Sequence, residues 1–548
     1  MKKTHRYLLS LLSGLMLILS WPPHGFPLLA FFAFVPLFFV SDDLVESDGK
    51  VPFWRGLWYA FLAFLVWNIG ATWWIWNITP EGCIAALVLN SFFMSIVFGC
   101  WQRFRSLKLP PVAAAVALIA FWCTWEYLHL NWDLTWPWLN LGNVFGNSTE
   151  FVQWYEITGT FGGTVWILAG NFFCYFLLKN CRKNRKKALV FGGILLLWIV
   201  LPAAGSLLRY KTYQLPSPTA DNSIEVVIVQ QNTDPVEEQY HMNNLQHAQR
   251  LMEVAATKLT PDTRLLLCAE TAIPWSIASS AIGADDCPTF NSSYAWLPMV
   301  DTLTHYFPNL NFIVGLSTYE IFDHKATLTA QETRYGTFID DYNTAACFNR
   351  NGLAGLYYKS KLVPGVEKMP YPQVFGFLEK LAIDLGGTSG SLGKDTEQRT
   401  FPLQSVPFRI GTAICYESAY GEHFGKFVKN GAQLMSVITN DGWWGNSPGY
   451  PQHFLMSKLR AVETRRTILR SANTGISAII DERGDTHQQT KYDTRLALRD
   501  NVVPNDAVTF YVRHGDYLAR LCVALTALIA IFSISLRIKR KYQQIKTK

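Results

Sequence analysis

Charge is scarce in this sequence of 548 residues: Asp, Glu, Lys and Arg make up 16% of it, while half of all residues are hydrophobic. That balance excludes a purely soluble globular protein, and the polar stretches exclude a chain lying wholly in lipid. Three short intervals, 21–26, 79–82 and 131–160, hold no Lys or Arg at all. No C-x-x-C pair or Cys/His spacing is present, so nothing points to a structural metal, and no cofactor-binding motif is visible. The formal net charge is +7, but the basic residues that produce it are confined to a few short segments, which argues against a nucleic-acid-binding surface.

What the chain has instead is long apolar runs, near 7–20, 27–40, 53–78, 83–101, 112–130, 163–178, 188–208 and 517–536. A helix requires about 20 residues to cross the hydrocarbon, so about eight membrane helices are expected. The first two are short and joined by Trp21-Pro22-Pro23-His24-Gly25, which favours a break between them. Met1-Lys2-Lys3 before an apolar run is also the pattern of a secretory signal, but no small-residue cleavage site follows. Lys and Arg cluster at 2–6, 103–108, 179–187 and 537–548, on the side opposite to the three intervals that lack them. By the positive-inside rule both termini are expected in the cytoplasm and residues 209–516 outside it. The expected organisation is a membrane domain over 1–208, an outer domain over 209–516, and a final membrane helix with a basic tail over 517–548.

Within the outer block, short β-rich runs alternate with helical ones. Strands are expected at 224–231, 264–269, 311–317, 407–414 and 433–439, and a hairpin over 342–359 around Asn349-Arg350-Asn351-Gly352. Two further strands flank Asn473-Thr474-Gly475, and helices are expected at 236–258, 417–429 and 451–465. Such interleaving predicts an α/β sandwich of two sheets, or one large sheet covered by helices. Residues 281–310 and 375–402 read as irregular insertions. Cys268, Cys287 and Cys347 share this block, and a pairing among them is open in an oxidising compartment.

Three residues carry the chemistry, in chain order. Glu270 ends the apolar run Leu265-Leu266-Leu267-Cys268-Ala269, where burial would raise a carboxyl pKa toward the range of a general base; the alternative is a capping or salt-bridged glutamate. Lys359, in Tyr357-Tyr358-Lys359-Ser360-Lys361, is placed to hold an oxyanion; the alternative is a solvated edge lysine, and Lys361 competes for the role. Cys415 follows a strand and precedes a helix, where a helix N-terminus and nearby cations would lower its thiol pKa; taken alone, a cysteine in an apolar run is more often an inert buried residue.

Together these segments resemble the nitrilase, or carbon–nitrogen hydrolase, superfamily, and within it the apolipoprotein N-acyltransferases. The resemblance rests on Ala269-Glu270-Thr271-Ala272, on the run from Tyr357 through Lys359 and Pro364 to Glu367, and on Cys415-Tyr416-Glu417. It extends to Thr439-Asn440-Asp441-Gly442-Trp443-Trp444, Gln452-His453 and Arg470-Ser471-Ala472-Asn473-Thr474-Gly475, and, in the membrane half, to Pro36-Leu37 and Trp136-Pro137-Trp138-Leu139. The chain departs from the family pattern at Cys268-Ala269, Gln230-Gln231-Asn232 and Gly365-Val366.

The resemblance implies an α-β-β-α sandwich and a Glu270–Lys359–Cys415 triad. Glu367 is implied as a second glutamate beside the nucleophile, and Tyr416, Glu417, Trp443 and Trp444 as supporting or substrate-binding residues. It further implies a ping-pong transfer, without cofactor or metal, of an acyl chain from a membrane phospholipid to the N-terminal amine of a diacylated lipoprotein. The bilayer is then itself a partner, and the implied location is the bacterial inner membrane with the catalytic domain in the periplasm. Trp132, Trp136, Trp138, Trp443 and Trp444 are candidates for an apolar entrance, the alternative for each being interfacial anchoring or core packing. Two competing readings are a membrane-tethered amidase that uses water as acceptor, and a transporter or scaffold with an inactive outer block. Glu126 is the clearest charged residue inside a span.

Overall fold

The computed structural model describes residues 1–48, 53–219, 221–282, 284, 291–371, 373 and 391–546. The chain divides into two compact units, Met1–Tyr210 with His514–Lys548, and Lys211–Arg513.

The first unit is helical. Among the described residues, seven segments, Pro27–Glu46, Phe53–Asn77, Pro80–Arg105, Pro111–His129, Thr160–Asn180, Arg185–Thr212 and Tyr517–Lys546, are long and apolar enough to cross a membrane. An eighth apolar helix, Lys3–Ser20, precedes them. Glu126, on Pro111–His129, accepts hydrogen bonds from Trp122 Nε1 at 3.0 Å, the Leu141 amide at 2.8 Å and Thr164 Oγ1 at 2.7 Å. A buried carboxyl costs free energy unless its oxygens are bonded, and here it ties the loop after the fifth helix to two spans. That loop carries Trp136 and Trp138, stacked with ring centroids 5.4 Å apart. Trp138 is 1% exposed, so the expectation of an entrance aromatic at this position is corrected: it is core packing.

The second unit is built on two sheets. Its strands among the described residues are β1 Ile224–Gln230, β2 Thr263–Leu267, β3 Ile273–Ala278, β4 Asn311–Phe322, β5 Gln331–Glu332, β6 Phe338–Asn349, β7 Gly352–Tyr358, β8 Thr400–Pro402, β9 Arg409–Ile414, β10 Leu434–Thr439, β11 Ile468–Ala472, β12 Ala478–Ile480, β13 Thr486–Gln489 and β14 Leu496–Val502. The first sheet runs β14-β1-β2-β4-β6-β5, with β3 also on β4 and β7 on β6; the second runs β13-β12-β11-β10-β9-β8.

Side-chain alternation explains the layering. On β1, Val226 and Ile228 meet Ala413, Ile414, Val437 and Ile438 of the second sheet. Val227 and Val229 face the other way, against Ala248, Leu251 and Ala255 of the helix Asn244–Ala256. A strand buried on both faces reads as a continuous apolar run, as Val226–Val229 does. On the second sheet, the helices Gly421–Lys429 and Gly449–Thr464 bury Phe424, Phe427, Phe454 and Leu455. The result is the expected α-β-β-α sandwich.

Several details differ from the sequence reading. The helix expected at 236–258 begins only at Asn244, where Asn243 and Gln246 form a reciprocal capping box. The segment 281–310 contains the helix Leu297–Tyr306, and the described part of 375–402 ends in β8; residues 375–390 lie outside the described residues. The helix expected at 417–429 is split into a 3₁₀ turn, Cys415–Ala419, and the α-helix Gly421–Lys429, with extended backbone at Tyr420. Cys268 and Cys347 are free thiols, and Cys287 lies outside the described residues.

Gly315 of β4 sits directly beneath the Glu270 segment. Its amide donates to the Ala269 carbonyl at 3.1 Å, and a Cβ there would meet that oxygen at 2.4 Å, Thr271 N at 2.6 Å and Glu270 Cα at 2.7 Å. The neighbours are backbone and cannot rotate away. Gly315→Ala is therefore expected to cost about 1–3 kcal/mol of stability through overpacking and to displace Glu270. Thermal unfolding in detergent, run beside an activity assay, checks this; an unchanged midpoint and rate would contradict it.

Candidate active site

The parallel strands of this unit end at one edge, and the polar residues that follow them converge there, as expected for ligand sites in α/β sheets. Glu270 comes three residues after β2, Lys359 directly after β7, Cys415 directly after β9 and Asn440 directly after β10.

Lys359 is 1% exposed, and its ammonium donates to Glu270 Oε1 at 2.9 Å and to Glu367 Oε1 at 2.7 Å. Burial works against the charged amine, but the two carboxylates outweigh it and hold the Lys359 pKa above the ordinary lysine value. Glu270 is 6% exposed; its Oε1 also accepts from Asn343 Nδ2 at 2.7 Å, and its Oε2 from the Asn440 amide at 2.9 Å. Glu367 is held by the Val363 amide at 2.9 Å and by Asn343 at 3.2 Å. The three charges thus form a fixed carboxylate–ammonium–carboxylate row with one excess negative charge. Lys361, the competing lysine, points elsewhere. Its ammonium lies 4.8 Å from the Tyr420 ring, and burial, then the charges of Lys368, Lys426 and Lys394, push its pKa down to about 8.

Cys415 has φ +50, a left-handed conformation that costs a side-chain-bearing residue free energy. The turn projects a half-buried sulfur from the end of β9 toward the charge row. Burial pushes the thiol pKa well up, the Glu270 carboxylate adds to this and Lys359 opposes it, and Asp441 raises it further. The expectation of a lowered thiol pKa at a helix N-terminus is thereby corrected: a short 3₁₀ turn supplies little dipole, and the nearby net charge is negative. Among the carboxylates, Glu270 has the largest effect on the sulfur.

Supporting residues approach from behind. Glu417 is fully buried and accepts from Tyr357 Oη at 2.6 Å, the Ser360 amide at 2.7 Å and the Ile414 amide at 2.8 Å. It therefore staples the Lys359 segment to the Cys415 turn. Tyr416 is 3% exposed and packs edge-on against Tyr420. Trp444 is buried edge-on against His453, whereas Trp443 is half-buried. Sequence reasoning assigned no role to Asn343 or Asn440, the two residues that fix the Glu270 carboxylate. An asparagine inside the apolar run Tyr342–Phe348 was the available signal for the first. No cluster of three or more His, Cys, Asp or Glu suited to a metal ion occurs among the described residues.

Burial opposes the ionised form of Glu417, but His423, the Ile414 amide and Tyr357 overrule it and hold the pKa at about 2. A depressed carboxylate contributes stability above its unfolded pKa of about 4.3, and that contribution is lost as pH falls toward 2. Unfolding midpoints of the parent protein should fall across this window, by up to about 3 kcal/mol in stability, while those of Glu417→Gln should be lower at neutral pH and flatter. Parallel pH profiles for the two proteins would refute this assignment.

The model for the carbon–nitrogen hydrolase family matches residues 226–499, and that for the apolipoprotein N-acyltransferase N-terminal domain matches residues 13–173. The chain is 28% identical over 539 residues to the apolipoprotein N-acyltransferase of Chlorobaculum tepidum, covering 96% of each chain. It is 26% identical over 555 residues to that of Thermotoga maritima, covering 97% of this chain and 94% of the other. Among solved structures it is similar to Saccharomyces cerevisiae Nit3, a member of branch 10 of the nitrilase superfamily, at 18% identity and a TM-score of 0.36, covering 53% of this chain and 93% of that one. On the two family models and the full-length relatives, the chain belongs to the carbon–nitrogen hydrolase superfamily and, within it, to the apolipoprotein N-acyltransferases.

Proposed function

We propose that this enzyme moves an acyl chain from a membrane phospholipid to the N-terminal amine of a lipoprotein's diacylglyceryl-cysteine, through a thioester on Cys415. Glu270 takes the thiol proton as the sulfur attacks the ester carbonyl. Lys359 neutralises the resulting oxyanion, a role for which a buried, immobile ammonium is suited because no reorganisation accompanies charge development. Collapse expels the lysophospholipid alkoxide, which takes the proton back from Glu270, and leaves the acyl thioester. The lipoprotein amine then attacks the thioester and passes its proton to Glu270. Collapse of the second intermediate releases the amide and returns Cys415 to its thiol.

Glu367 acts on Lys359: it shares the ammonium with Glu270, so Glu270 can accept a proton without leaving the lysine unpaired. Glu417, Tyr416 and Trp444 act as supports, and Trp443 contacts the acyl donor or acceptor. The observation that carries this reading is the convergence of the buried Glu270–Lys359–Glu367 row on the half-buried Cys415 sulfur. The clustering of basic residues on one side of the spans supports an inner-membrane location with the catalytic unit in the periplasm and both termini in the cytoplasm. That topology gives the nucleophile access to substrates that are both lipid-anchored.

Intact-mass analysis after exposure to phospholipid bilayers, without acceptor, tests the proposal. The native protein should gain one long-chain acyl group, and Cys415→Ala should gain none. A native protein that stays unmodified, or acylation that persists in Cys415→Ala, would overturn it.

A further inference from the structure

Beside the charge row, β4 and β6 run antiparallel and set Glu320 opposite Asp340 and Tyr319 opposite Asp341. Three carboxylates therefore meet there, and their side-chain partners are all hydroxyls. Glu320 accepts from Tyr358 Oη at 2.6 Å, and Asp340 from Thr329 Oγ1 at 2.8 Å and Tyr342 Oη at 3.2 Å. Asp341 is half-buried, and its carboxylate accepts from Ser276 Oγ at 3.4 Å. Among the described residues none of the three forms an ion pair. Burial raises the Asp341 pKa; the Ser276 hydroxyl opposes this, and the Asp340 charge adds to it. A carboxylate drawn out of water with no cation beside it costs free energy that a bound cation would return.

Asp341 lies on the reactive face of its strand. Ala345 and Cys347 of β6 pack toward the second sheet, and alternation puts Asn343 and Asp341 on that same face, with Cα atoms about 7 Å apart. Residues 391–393 tie this position to the charge row: the Leu392 amide donates to the Glu367 carbonyl at 2.9 Å and the Gly393 amide to the Asp341 carbonyl at 2.8 Å. Asn343 supplies a second unmet acceptor. A carboxylate only accepts, so the amide nitrogen of Asn343 must face Glu270 and Glu367, which fixes Oδ1 on the other side of the amide. Asn343 is 6% exposed, and its Oδ1 is buried with no donor.

We propose that Asp341 and Asn343 Oδ1 form a subsite for the primary ammonium of a lipid substrate. The inference rests on the acyl transfer proposed above, in which two molecules carry that group: the acceptor, at the α-amine of its diacylglyceryl-cysteine, and a donor phospholipid with an ethanolamine headgroup. The ammonium charge goes to Asp341 and one N–H to Asn343 Oδ1, so the carboxylate gains its missing cation and the amide oxygen its missing donor. The surrounding field has the same sign preference. The Glu270–Lys359–Glu367 row carries one excess negative charge, and Glu320 and Asp340 add to it from the other face of the sheet, which attracts a cation and opposes an anionic headgroup.

The test is equilibrium binding to full-length Cys415→Ala protein in non-ionic detergent, with two matched pairs of probes. One pair is a short-chain phosphatidylethanolamine and the phosphatidylglycerol with the same chains; the other is a diacylglyceryl-cysteine peptide and its N-acetylated form, which has lost the charge. The ammonium-bearing member of one pair should bind about ten-fold tighter, and adding Asp341→Asn should erase that preference, whereas Asp341→Glu should keep most of it. The pair that responds names the source. A trimethylated form of the responding ligand keeps the charge and has no N–H, so it should bind about three-fold more weakly. In the native protein Asp341→Asn should raise the half-saturating concentration of that ligand about ten-fold in its own half-reaction, thioester formation or thioester discharge, rather than lower the maximal rate.

Preferences that are absent, or that survive Asp341→Asn in both pairs, would overturn the proposal. So would an equal loss of affinity for both members of a pair, the mark of a merely structural role. A trimethylated ligand that binds as tightly as its parent would overturn the part given to Asn343. The binding arm requires no turnover. The expected preferences in Cys415→Ala, beside a native protein that never forms a thioester, would sink the acyl-transfer reading and leave the ammonium subsite standing; a native protein that acylates without any ammonium preference would do the reverse.

Discussion

The site depends on one buried ammonium between two carboxylates. Taking Lys359 out of water costs several kcal/mol, and only Glu270 and Glu367, at 2.9 and 2.7 Å, offset that cost. The arrangement brings the end of β2 to the end of β7 and the Val363–Glu367 loop that follows it, with Glu270 and Lys359 89 positions apart in the chain. Burial, and then the negative charge that this row leaves beside the sulfur, push the Cys415 thiol pKa up. A cysteine among cations alone would present a stable thiolate, a weaker demand on geometry and a less discriminating nucleophile.

Rigidity around this row comes from groups that never face a substrate. Asn343 and the Asn440 amide fix both Glu270 oxygens, Gly315 lets the Glu270 backbone settle onto β4, and Glu417 binds the Lys359 segment to the Cys415 turn. Glu417 accepts from the Ile414 amide, and His453, bonded to Asp441, lies 3.1 Å from the Cys415 carbonyl, so both brace the Cys415 turn. The left-handed Cys415 is tolerable because this framework over-determines it.

Much of the sandwich was legible because its strands obey simple rules. Val226–Val229 is an unbroken apolar run buried on both faces, Leu434–Thr439 is buried throughout with only Ser436 and Thr439 polar, and the Asn349-Arg350-Asn351-Gly352 turn announces its hairpin. The strands β3, β13 and β14 escaped notice because each is short or partly exposed, so no apolar pattern marks it. The split at Tyr420 escaped because Glu417, a good helix former, is drawn back onto the Ile414 amide. Trp138 was misplaced at an entrance because composition cannot tell an interfacial tryptophan from one stacked in a core.

By itself the sequence determined the apolar spans, the alternation of strands and helices, and the chain order of the acid, the lysine and the cysteine, since these follow from local periodicity and motif spacing. Only the tertiary structure decided that Lys359 rather than Lys361 joins the two glutamates. It also decided that the Cys415 thiol is pushed up and not down, and that Asn343, Asn440, Asp441 and His453 surround it. Those are matters of distance and burial between residues as much as 170 positions apart, and electrostatic energy in a low-dielectric interior is set by such distances, which no local pattern encodes.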